Sequence, residues 1–76
     1  MKHNGPRAIF TFHTTADAMA AERLCRQHDL PGRLIPAPRA LSADCGIAWA
    51  APPEADEAVA ALLTASGVEY ADRRVM

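Results

Sequence analysis

Two cysteines and three histidines hold most of the chemistry open to this 76-residue chain. Cys25 and Cys45 are too few for a disulfide scaffold and do not form a Cys-x-x-Cys pair, so both are expected as free thiols in a reducing compartment. Together with His3, His13 and His28 they match no familiar zinc spacing, so no metal is expected, and no Gly-rich phosphate loop points to a nucleotide or other cofactor. Cys45 stands apart, in the segment Ser42-Ala43-Asp44-Cys45-Gly46. The thiolate is the nucleophilic form of cysteine. Helix N-termini, arginines and protonated histidines favour it, and an adjacent carboxylate such as that of Asp44 opposes it. Gly46 leaves the backbone beside Cys45 uncovered, which would let a substrate or partner approach closely. The plain alternative is a cysteine that begins a strand and packs as a small hydrophobe. Cys25 reads as core, because it falls on the apolar stripe of a helix.

The elements that must position Cys45 follow from pattern and punctuation. Ala8 to His13 is β-branched and aromatic and predicts a strand. Thr14, with Asp17 three residues on, resembles a capping box, and the spacing predicts a helix from Thr15 to about His28 with Ala18, Ala21, Leu24 and Cys25 on its apolar side. Leu30-Pro31-Gly32 ends it. Arg33 to Pro36 predicts a second strand, Ala37 to Asp44 a loop, and Gly46 to Ala50 a third strand. A second helix opens at Pro52-Pro53-Glu54, with Ala55, Ala58, Val59, Leu62 and Leu63 as its stripe and Gly67 as its C-terminal cap. Val68 to Tyr70 predicts a fourth strand, and Ala71 to Met76 a polar tail prone to fray.

The order β-α-β-β-α-β predicts an α+β, ferredoxin-like domain: one antiparallel four-stranded sheet with two helices on one face, over residues 1–76, with an ordered core at about 8–71 and short polar tails. In that plan the first and third strands are central antiparallel neighbours. The end of the first therefore lies beside the start of the third. Cys45 and Gly46 are placed near His13, near Thr14 and Thr15 at the first helix's N-terminus, and on the same edge as Arg39 and Ser42. Each has a simpler role as well. His13 serves as a strand-end residue making a local hydrogen bond, and Arg39 as a solvated loop charge.

Composition limits the rest. A net charge of −1 offers no basic field for nucleic acid or an anionic membrane, and no apolar run approaches a membrane span. The polar segment from Met1 to Arg7 lacks a signal peptide's apolar stretch, so a cytoplasmic location is expected. A domain this short buries a thin core, so a homodimer that adds buried surface is expected. It also leaves little room for the deep pocket that a Cys45–His13 hydrolytic dyad would need, even with Thr14, Thr15 or Asp44 orienting the imidazole.

Ile9-Phe10-Thr11-Phe12-His13-Thr14-Thr15, then Ala18-Met19-Ala20-Ala21-Glu22, then Leu34-Ile35-Pro36-x-Pro38-Arg39, then Ser42-x-x-Cys45-Gly46-Ile47-Ala48 resemble the selenium/sulfur carrier protein-like family, a set of small bacterial proteins. The resemblance runs from Ala8 to Tyr70. The Pro-x-Pro-Arg and Ser-x-x-Cys-Gly pieces are its most specific part. It implies a carrier rather than a classical enzyme. Such a carrier holds a persulfide or selenide on Cys45, takes it from a donor such as a cysteine desulfurase and passes it to an acceptor protein. The contrasting expectation is a non-catalytic small-ligand or protein-interaction module, dimeric through its sheet, with Cys45 structural.

Overall fold

Ala8-Ile9-Phe10-Thr11 forms strand β1 (Ala8–Thr11), buried at every position. The computed structural model describes residues 5–41 and 44–76. β1 stops at Thr11, two residues short of the pattern's end, because the chain must turn to cap a helix. Thr14 is extended (φ −134°, ψ 154°), and its Oγ1 accepts the N–H of Asp17 at 3.1 Å. That satisfies one of the orphan donors of helix α1 (Thr15–Gln27), with Asp17 complementing the dipole in its first turn. Thr14→Ala is expected to cost about 1 kcal/mol and Thr14→Ser almost nothing, as read by urea denaturation. Equal losses from both would refute the capping role.

After α1 the chain reverses through Asp29 at φ 56°, with the Leu30 N–H returning to the Cys25 carbonyl at 2.8 Å. Strand β2 (Arg33–Pro36) and strand β3 (Ile47–Ala51) follow. Gly46 stays outside β3 at φ 78°, although its carbonyl still accepts the Ala37 N–H at 3.0 Å. The second helix begins as a 3₁₀ turn, Pro53–Ala55, before α2 (Asp56–Ala65). The tighter turn rotates the phase of the stripe. Ala60 is buried with Ala55, Val59 and Leu63, whereas Ala58 is exposed and Leu62 only half-buried. Gly67, at φ 76°, closes α2 with the Val68 N–H on the Leu63 carbonyl at 2.9 Å.

The fourth strand lies further along than its apolar residues suggest. Val68–Tyr70 is not a strand, and the polar stretch after it is. β4 spans Asp72–Val75 and pairs antiparallel with β1 from Thr11↔Asp72 to Ala8↔Val75. The Val68 N–H is engaged in the helix cap, and the Tyr70 ring packs edge-on against Phe10, 5.2 Å between centroids. Arg73 lies over the same Phe10 ring at 5.9 Å and bridges to Asp56 at 2.8 Å and Glu57 at 3.1 Å on α2. The bond to Asp56 holds its guanidinium firmly in the charged form.

The sheet order is β2-β3-β1-β4, with every neighbouring pair antiparallel. Ala8, Phe10, Phe12, Trp49 and Ala51 face both helices, meeting Ala18, Ala21 and Cys25 of α1 and Val59 and Leu63 of α2. The other face carries Ile9, Ala48 and Ala50, covered by Leu41 from the β2–β3 connection. β2 and β4 are the sheet's edges. The Ala37–Gly46 bond turns Ala37 inward, so by alternation Pro36 faces outward and offers no N–H. Arg7 and Met76 exchange both backbone bonds, which turns Arg73 outward on β4, and the Arg73 N–H is taken by Asp72 Oδ1 at 2.9 Å.

Candidate functional site

Because β1 and β3 pair antiparallel up to Thr11↔Ala48, the residues just after β1 lie beside those just before β3. Among the described residues, one side-chain bond crosses there: His13 Nδ1 to Asp44 Oδ2, 3.0 Å. The structure therefore brings His13 next to the residue that precedes Cys45. A carboxylate only accepts, so the bond places the proton on Nδ1 and leaves Nε2 open. The side chains are 54% and 71% exposed, so this pair is a solvated tether contributing on the order of 0–1 kcal/mol. The direction of Asp44, open from sequence, is thus toward His13 rather than isolated beside the thiol.

Cys45 itself is half-buried and packs against the helix-side core, with Sγ donating to the Ile47 carbonyl at 3.5 Å. Gly46 next to it is exposed, and a Cβ there would meet nothing within 4 Å. Its positive φ, not a close approach of other atoms, explains the glycine. Thr14 and Thr15 are exposed at the N-terminus of α1, the Thr14 oxygen being used by the cap. Arg39 sits exposed in a turn of the β2–β3 connection and has no ion pair among the described residues. Ser42 and His3 lie outside the described residues. Cys25 is 0% exposed, and burial pushes its thiol pKa up. Its expected place in the core is what the structure shows.

No group of three or more His, Cys, Asp or Glu side chains among the described residues is arranged to hold a metal ion. No helix among them is long and apolar enough to cross a membrane. Sequence reasoning missed a cleft of about 790 Å³ at the opposite end of the sheet, where Arg7 and Arg33 line one opening with Gly32 and Pro52. The signal was an arginine at the start of each of two strands, Arg7 just before β1 and Arg33 opening β2, with prolines close by.

No curated protein and no solved structure matches the chain. A family match does cover residues 7–72, from the residue before β1 to the first residue of β4, and so includes His13, Thr14, Thr15, Arg39, Cys45 and Gly46. On that match the chain belongs to the family described as putative Se/S carrier protein-like.

Proposed function

We propose that this protein carries a single sulfur or selenium atom on Cys45 between two other proteins. The observation that carries the reading is the contrast between its thiols: Cys25 is sealed in the core, whereas Cys45 lies half-buried on an exposed rim. Membership of the carrier-like family supports it. A rim suits a thiol that must meet a protein-bound donor and then an acceptor, since neither can enter a deep pocket.

In the loading step the Cys45 thiolate attacks the outer sulfur of a cysteine persulfide on the donor, a cysteine desulfurase being the class that forms one. An S–S bond forms to Cys45, the donor's S–S bond breaks, and the donor cysteine leaves as its thiolate. The outer sulfur is transferred without net oxidation. An acceptor thiolate then attacks that sulfur and releases the Cys45 thiolate. A selenium atom passes by the same two displacements. His13, oriented through Nδ1 by Asp44, offers Nε2 to take the proton of the Cys45 thiol. Arg39, Ser42, the Gly46 backbone and the first turn of α1 at Thr14 and Thr15 stabilise the anionic outer atom.

A second reading makes Cys45 structural, in an interaction module without sulfur chemistry. Its support is the contact of Sγ with the Ile47 carbonyl and with the core. Incubation with a cysteine desulfurase and cysteine, without reductant, separates the two. Intact mass is expected to rise by one sulfur atom in the wild type and in Cys25→Ala, and not at all in Cys45→Ala. A wild type that gains nothing favours the second reading, and a Cys45→Ala variant that still gains sulfur overturns the assignment of the carrier atom to Cys45.

A further inference from the structure

The cleft at the far end of the sheet is a separate feature, and nothing in the carrier reading uses it. β1 and β2 begin there and β3 ends there. Arg33 is opposite Ala50 on β3, Ala50 is opposite Ile9 on β1, and Arg7 lies two residues before Ile9. Side-chain alternation puts Arg7 and Arg33 on the helix-free side with Ile9 and Ala50. Strand spacing and rise place their Cα atoms about 12 Å apart. Neither guanidinium has an ion pair among the described residues, and both line the one cleft. Such a pair is unusual on a chain whose net charge is −1, because acidic partners are in ample supply.

We propose that this cleft binds an extended acidic segment of a partner protein. Charge decides the ligand's sign: among the described residues, two arginines without ion pairs face a single lining acid, Glu54. Guanidinium forks fit carboxylates bidentately. Shape decides its size. The cleft is open rather than enclosing, whereas small-molecule sites surround most of their ligand. Acidic residues two to four apart on an extended chain, about 7–13 Å, span the two arginines. Prolines 31 and 52 stiffen the walls, which limits the ordering cost of binding. Because Cys45 lies at the opposite pole, an occupied cleft leaves its surroundings unchanged, and the binding does not depend on what Cys45 does.

Calorimetric titration of the full chain with an end-blocked hexapeptide of alternating Asp and Glu tests this. Trp49, the only tryptophan, gives a second readout because its ring lies directly beneath Gly32 on the cleft wall. Saturable binding is expected, weakening roughly tenfold or more in R7Q/R33Q and more than threefold in R7K/R33K, which keeps the charge but loses the fork. E54Q is expected to tighten binding about twofold, and R23Q on the outer side of α1 to leave it within about twofold. If R7Q/R33Q loses its fold, the R7K/R33K and E54Q arms decide. No saturable binding, equal binding of the Asn/Gln hexapeptide, or equal weakening by R23Q overturns the proposal. Inorganic phosphate or glutarate binding as tightly as the peptide overturns it in favour of a small-anion site.

Discussion

Gly32→Ala is expected to remove most of the stability of this protein. A Cβ at that position would sit 2.6 Å from Cε2 and Cζ2 of Trp49 and 2.7 Å from the Ala50 carbonyl oxygen. Neither neighbour can yield easily. The Trp49 ring is 1% exposed and wedged in the core, and Ala50 is held in the β2–β3 and β1–β3 ladders. The backbone at Gly32 has φ 150°, where only glycine rests without strain. Strain of about 1–3 kcal/mol adds to overpacking of about 1–3 kcal/mol, against a total of roughly 3–5 kcal/mol for a domain of this size. Thermal unfolding followed by circular dichroism should show a drop of roughly 10–25 °C, or no cooperative transition at all. In a Trp49→Leu background the same alanine should cost distinctly less than in the wild type, since one of the two clashes is gone. A Gly32→Ala protein melting within about 5 °C of wild type would show that the strand start relaxes freely.

The second large effect is the reactivity ratio of the two thiols. Cys45 should alkylate in the native protein at a rate set by its own exposure. Cys25 has no exposed atom to attack and a thiol that burial holds protonated, so it should react only through opening of the core. With about 4 kcal/mol of global stability, that opening confers roughly a thousandfold protection. Iodoacetamide labelling of Cys25→Ala and Cys45→Ala, read by mass against time, gives the two rates separately. The ratio should collapse in denaturing urea. A native ratio below about ten would mean that α1 opens locally, and it would remove the burial argument that singles out Cys45 as the carrier.

The strands and helices were legible where sequence punctuation and packing agree. β2 lies where Gly32 and Pro36 bracket it, and Thr14 caps α1 as its spacing to Asp17 implies. β4 was not legible, because Asp72-Arg73-Arg74-Val75 has no apolar alternation to read. Its charges are satisfied by residues distant in sequence, Asp56 and Glu57 for Arg73. The shifted stripe of α2 came from a 3₁₀ first turn, which leaves little trace in a helical periodicity. At the candidate site, strand order alone put the end of β1 beside the start of β3. The bond from His13 to Asp44 depends on the path of a connecting loop and on two rotamers, and neither follows from residue types.

Both edges of the sheet, β2 and β4, are short and blunted. Each is four residues long, and on each one outward amide donor is already withdrawn, by Pro36 on β2 and by the Asp72 carboxylate on β4. A strand approaching from solvent would find half the donors it needs, so growth of the sheet from copy to copy is discouraged. For a domain this small, whose sheet has only four strands, such blunted edges keep one copy from extending another. The molecule can touch another protein through its side chains without being drawn into that protein's sheet or into fibres of its own kind.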